Sequence, residues 1–216
     1  MSTLKQQTEA KVAAGRKGNP VFMKGIDDAI AKARAVKDGE LALKVGDKIP
    51  NFKLPGTKDG MVSCDQLLEE GPLILTFYRG SWCPYCNLQL RAFEGYLSQI
   101  KAMGGQLVAI TPQVPDGSLS EGEISAMDFK VLSDQGAKVA EQFGVAWQVP
   151  EFVLNHMKVD RGLDLESINN GNGTILPIPA TYVINQQGVI VWRYLDVDYR
   201  TRAEPSEVVQ KLKEIA

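Results

Sequence analysis

Only three cysteines and one histidine occur among the 216 residues. Three thiols cannot brace a chain of this length as a disulfide scaffold, and in a reducing compartment a disulfide is more often transient and catalytic than structural. Charge of one sign is not in excess either: 24 Lys and Arg stand against 26 Asp and Glu, a formal net charge of -2. Clusters such as Lys44, Lys48 and Lys53 are interleaved with acids, so no basic patch supports a nucleic-acid role. A long apolar run is missing too. The N-terminus, MSTLKQQTEAKVAAGRK, lacks the apolar centre of a signal peptide. The uncharged stretch from Asn169 to Trp192 is interrupted by glycines and Pro177, so it cannot cross a bilayer as a helix. These absences lead us to expect a cytoplasmic protein with neither nucleic-acid nor membrane partners.

What is present is enough apolar residue, 44%, for a sizeable core. Residues 1–45 read as an N-terminal helical extension. Asn19-Pro20 is a strong helix start, and Phe22, Ile26, Ile30 and Ala33 follow at roughly helical spacing. Nothing in this part suggests chemistry. Residues 46–216 read as an α/β domain. Ile49 to Leu54 and Met61-Val62 form a hairpin across Thr-Lys-Asp-Gly, and Ser63 caps a short helix. Pro72 to Tyr78 is apolar without alternation, as in a strand buried on both faces. The pattern predicts a helix from Pro84 to about Met103, strands at Gln106 to Thr111 and Phe129 to Leu132, and a helix from Ala137 to Phe143. A hairpin of Thr181 to Ile184 with Val189 to Tyr194 and a closing helix from Pro205 complete a mixed central sheet with helices on both faces.

The chemistry-bearing motif is Trp82-Cys83-Pro84-Tyr85-Cys86, where a buried strand turns into a helix. With Cys83 as N-cap and Pro84 at the first helical position, the free N–H groups of the first turn point toward the Cys83 sulfur and favour its thiolate. Lowering a thiol pKa by about two units corresponds to roughly 2.7 kcal/mol. Arg79 adds to this if its side chain turns inward. Cys86 falls three positions on, near enough for a disulfide that joins consecutive turns and braces nothing distant. The same pair is also half of a zinc site. Completing that site would take Cys64 and His156 at no usual spacing, so no metal and no cofactor is expected.

At these residues the sequence resembles the thioredoxin superfamily, and more closely the alkyl hydroperoxide reductase/thiol-specific antioxidant group of peroxiredoxin-like proteins. Val45 to Pro55 looks like that group's opening hairpin and Leu73 to Cys86 like its catalytic strand and loop. Val131 to Asp134 and Pro179 to Asn185 resemble its later signatures. The resemblance implies a thioredoxin-like fold and a Cys83/Cys86 dithiol–disulfide cycle that reduces hydroperoxides, with thioredoxin or glutathione as reductant. A homodimer is left open. Two departures point the other way. Cys83 stands where peroxiredoxins carry a peroxide-binding threonine. Pro179 stands where they carry an arginine, and matches instead the cis-proline beside the thioredoxin CxxC. The alternatives are therefore a thioredoxin-like reductase of disulfides and, from another class, a non-enzymatic redox sensor. Alignment with peroxiredoxins makes Cys86 the attacking sulfur. The N-cap position and alignment with thioredoxins make it Cys83, toward which this reading leans. Trp82, Pro84, Arg79 and Pro179 are the supporting residues.

Other conspicuous residues receive ordinary readings. Cys64 is expected to be a small packed residue, and His156 a polar residue of the Gln148 to Leu176 segment, which has no clear place in a minimal thioredoxin domain. Asp198-Tyr199-Arg200-Thr201-Arg202, before the last helix, is expected to be a solvated or helix-packing loop.

Overall fold

A computed structural model describes residues 2–57, 60–114 and 128–215. Lys58 and Asp59 of the expected hairpin turn lie outside the described residues. Two N-terminal helices, α1 (Leu4–Gly18) and α2 (Pro20–Ala35), come first, and Asn19 caps the second by accepting from Phe22 N–H. The short hairpin β1 (Lys53–Pro55) and β2 (Met61–Ser63) leads into α3 (Cys64–Glu70), whose Ser63–Gln66 capping box is reciprocal.

The centre is a five-stranded sheet. β3 (Leu73–Phe77) pairs in parallel with β4 (Gln106–Thr111), which pairs in parallel with β5 (Lys130–Ser133). On its other side β3 pairs antiparallel with β8 (Ala180–Ile184), which pairs antiparallel with β9 (Ile190–Leu195). The two faces of β3 enter different cores. Leu73, Leu75 and Phe77 pack with Leu67 and Phe143 on one side. Ile74 packs on the other, with Phe93 of α4 (Pro84–Glu94), Ile100 of α5 (Leu97–Ala102) and the closing helix. The continuous apolar run thus has its physical reason. The single helix expected from Pro84 to Met103 is two, separated at Gly95 and Tyr96. Leu88, expected toward the core, is half-buried, while Gln89, Leu90 and Phe93 are buried.

Beyond β5, a single 3-10 turn leads into α6 (Lys138–Gln142). The segment without a place in a minimal domain is folded. β6 (Ala146–Gln148) and β7 (Ile175–Pro177) form a two-stranded sheet that encloses α7 (Glu151–Asn155), a π turn at His156–Asp160 and α8 (Leu165–Ile168). Its apolar side covers the stripe of α2: Ile26 and Ile30 pack with Val149, Val153, Met157, Leu165 and Leu176. His156 stacks on Phe22 at 3.7 Å between ring centroids and meets Asp160 at 2.6 Å, so it ties α2 to this segment. The chain closes with α9 (Pro205–Lys213). No helix among the described residues is long and apolar enough to cross a membrane.

Phe77 occupies the centre of an aromatic group, its ring 5.0 Å from Phe143 and 6.3 Å from Tyr182. Removing it opens a cavity among rigid neighbours. Phe77→Ala should cost about 3–5 kcal/mol, read from the shift of the denaturant midpoint; a loss below about 1 kcal/mol would contradict this packing.

Candidate active site

β3 ends beside the redox motif, and the loop from Arg79 to Trp82 carries the chain into α4. Gly80 has φ +146°, and a Cβ there would lie 2.3 Å from the Trp82 indole nitrogen, so the close seat of Trp82 requires glycine. Gln113 accepts from Ser81 N–H at 3.0 Å, and Asn87 donates to the Ser81 carbonyl at 2.7 Å. Below α4, Gln89 donates to Thr181 at 3.1 Å and Thr76 at 3.3 Å, tying the helix to β8 and β3. The sequence carries no signal of this role for Gln89, because a glutamine inside a helix has the pattern of a surface residue.

Cys83 is the N-cap of α4 and Pro84 its first residue. Cys83 is 1% exposed, Cys86 0%, and all three cysteines are reduced. Burial by itself would push the Cys83 pKa up. It is outweighed by the Cys86 thiol, which hydrogen-bonds to the Cys83 sulfur, then by the charges of Arg79 and Arg202, and last by the Cys86 main-chain N–H. The result is a Cys83 pKa pulled down to about 5. Cys86 moves the opposite way, well above the ordinary thiol range, because of its burial and the negative Cys83 beside it. The Cys83 side chain makes no capping hydrogen bond. Cys64 is raised to about 11 by burial and by Asp65, as befits a packed, unreactive thiol.

Arg79 does turn inward. It is 4% exposed, and its guanidinium lies 4.0 Å from the Tyr199 ring centroid and 5.1 Å from that of Trp82. Arg202, from the turn before α9, donates to the Cys86 sulfur at 3.4 Å. The 198–202 segment is accordingly not a solvated loop. Arg200 and Arg202 are buried, and Arg202 also donates to the Tyr199 and Thr201 carbonyls. Its part in the site was missed because 116 residues separate it from Cys86. The one local signal is an Arg-Thr-Arg triplet set against a proline-started helix.

Pro179 requires a correction. There is no cis peptide bond among the described residues, so the Ile178–Pro179 bond is trans. The chain runs extended here from β7 into β8, with Ile178 N–H held by the Val145 carbonyl at 2.7 Å, and the ordinary trans preference of about 0.5–1 kcal/mol is not overridden. Pro179 is buried beside the start of β8. The thioredoxin-type cis-proline is thus not reproduced. No group of three metal-ligating side chains gathers among the described residues.

The reactivity of Cys83 should follow this electrostatic setting. A thiol with a depressed pKa is reactive above it and loses reactivity as the pH falls through it. Iodoacetamide should therefore label Cys83 rapidly at pH ~6 and leave Cys64 and Cys86 largely untouched, with the Cys83 rate falling only toward about pH 5. Arg202→Gln should raise that midpoint by about one unit. Equal labelling of the three cysteines, as read by peptide mass, would contradict the arrangement.

The AhpC/TSA family model matches residues 45–193. A bcp protein of Coxiella burnetii is 27% identical over 174 residues, covering 80% of this chain and 100% of that protein. Peroxiredoxin Bcp of Escherichia coli is 29% identical over 111 residues, covering 51% of this chain and 70% of its own length. Among solved structures, peroxidoxin BcpB from Mycobacterium tuberculosis superposes with a TM-score of 0.61 at 21% identity, covering 81% of this chain and 99% of that one. The match across residues 45–193, together with the fold, places this chain in the AhpC/TSA family, within the thioredoxin superfamily.

Proposed function

We propose that this protein is a thiol peroxidase that works through Cys83 and Cys86. The observation that carries the reading is the buried pair at the start of α4, with Cys83 at the N-cap, Cys86 three positions on and the Arg202 guanidinium donating to the Cys86 sulfur at 3.4 Å. Beside it the Cys86 thiol and the charges of Arg79 and Arg202 lower the Cys83 pKa, while burial and Cys83 raise that of Cys86. The Cys83 thiolate attacks one peroxide oxygen. An S–O bond forms, the O–O bond breaks, and the departing oxygen takes up a proton to leave as water or an alcohol. Arg79 and Arg202 are the cations placed to offset charge on that oxygen. Cys83 is then a sulfenic acid. The Cys86 sulfur attacks it, the S–O bond breaks, water leaves and the Cys83–Cys86 disulfide remains. A dithiol such as thioredoxin, or two molecules of glutathione, takes over the oxidation and returns both thiols. Relatives named as peroxiredoxins support the peroxide as substrate. Trp82 and Pro84 act by shaping the helix start, and the cycle needs no metal or cofactor.

The second reading, a disulfide reductase, draws on the thiolate at the first cysteine of the motif, the arrangement this chain resembles in thioredoxins. Its other support, a cis-proline, is absent, because the bond before Pro179 is trans. The two buried arginines favour peroxide, since the developing negative charge of O–O cleavage is what they are placed to offset.

Consumption of hydrogen peroxide coupled to thioredoxin and its reductase separates the two. The full chain should turn over many times. Cys83→Ser should lose roughly 1,000-fold or more of the rate. Cys86→Ser should consume one equivalent and stop at a sulfenic acid that dimedone traps on Cys83. Turnover no faster than that of a free dithiol peptide would exclude the peroxidase.

A further inference from the structure

The N-terminal helices were expected to be remote from chemistry, yet they touch the site in three places. Val12 of α1 packs against the cluster of Tyr78, Cys83, Tyr85, Cys86 and Leu90. Asp27 of α2 accepts from Arg200 at 2.7 Å and from Arg16 of α1 at 3.1 Å. Glu204 accepts from the Leu4 and Lys5 main-chain N–H groups at 3.3 and 2.6 Å, which caps the start of α1 with a carboxylate.

Asp27 and Glu204 bracket the turn that carries Arg202. Arg200 forks onto Asp198 at 2.7 and 2.9 Å. Asp198 also closes the turn, accepting from Arg200 N–H at 3.0 Å on its side chain and from Thr201 N–H at 2.9 Å on its carbonyl. The turn so formed presents the carbonyls that hold one Arg202 nitrogen and leave the other on the Cys86 sulfur. The same turn places the Tyr199 ring against Arg79. A guanidinium as buried as that of Arg200 keeps its place only while its acids remain.

We propose that the N-terminal helical pair is part of the redox site, with Asp27 and Glu204 as positioning residues that set the 198–204 turn and thereby Arg202 and Tyr199 around the two cysteines. This rests on the reading of Cys83 and Cys86 as the reacting pair. It differs from a mere field effect in sign. Asp27 is an anion, so losing its charge without movement leaves the neighbourhood more positive and makes a thiol more acidic. Losing the clamp lets Arg202 and Tyr199 move away and makes the thiol less acidic. Among the described residues, the charged or titratable groups bearing on Cys83 are Arg79 from the loop before α4, Arg202 and Tyr199 from the turn, and Cys86 and Tyr85 from α4.

The test is the pH profile of Cys83 alkylation by iodoacetamide in the full chain, with folding checked by thermal melt. Asp27→Asn should raise the midpoint by about one unit and slow labelling at pH ~6 several-fold, as Arg202→Gln does, while Asp27→Glu restores the parent profile. Glu204→Ala, which removes both acceptors from the start of α1 at the surface, should move the midpoint in the same direction and serves if Asp27→Asn does not fold. An unchanged or lowered midpoint in these variants overturns the proposal. A parent protein with no acidic thiol would instead overturn the reading of the cysteine pair itself.

Discussion

Two sulfurs on neighbouring positions of one helix start, both closed off from water, cannot both carry charge. Burial works against either thiolate, and one thiolate raises the cost of the other. The pair therefore keeps one proton, and what matters is which sulfur holds it. In this protein the proton stays on Cys86 and serves as the hydrogen bond that stabilises the Cys83 thiolate. That single shared proton makes the two sulfurs unequal, with Cys83 the more acidic and Cys86 the less.

Two buried cations bear on this pair. Arg79 is carried in by the strand that leads to Cys83 and lies against the Tyr199 and Trp82 rings, which accept a buried cation through their faces. Arg202 arrives from the far end of the chain and is held by carbonyls of its own turn. Both keep an Nε–H without a partner among the described residues, which costs desolvation free energy. The sheet supplies rigidity, since Gln89 fastens α4 to β3 and β8. The helical pair at the N-terminus and the folded segment between β6 and β7 bury each other's apolar faces through Ile26, Ile30, Val153 and Met157. The pair is thus anchored on one side and reaches the turn at Asp27 and Glu204 on the other.

Much of this was legible in the chain itself. The apolar run of β3, the Asn19-Pro20 helix start and the Cys-Pro-Tyr-Cys step from strand to helix are local patterns, and local patterns fix local structure. The Gly95 break between α4 and α5 was not read, because the apolar spacing continues across it. Arg202, Gln89 and Asp27 escaped for a different reason. Each acts through a contact between residues far apart in sequence, and single residues carry no sign of the partner they will meet. The cis-proline expectation failed because it was transferred on sequence likeness alone, whereas the bond's geometry is set by the strands on either side of Pro179. The acidity of Cys83 and the part of Arg79 in it follow from the local motif, whereas the contribution of Arg202 comes from a residue far along the chain.

The central claim is that Cys83 and Cys86 form one redox couple from which Cys64 is excluded. Peptide mapping after exposure of the full chain to one equivalent of hydrogen peroxide, with free thiols blocked afterwards, tests it most directly. Cys83 and Cys86 should be recovered joined within a single peptide and Cys64 as a blocked free thiol. Recovery of Cys64 in a disulfide, or of Cys83 and Cys86 both still free, would contradict it.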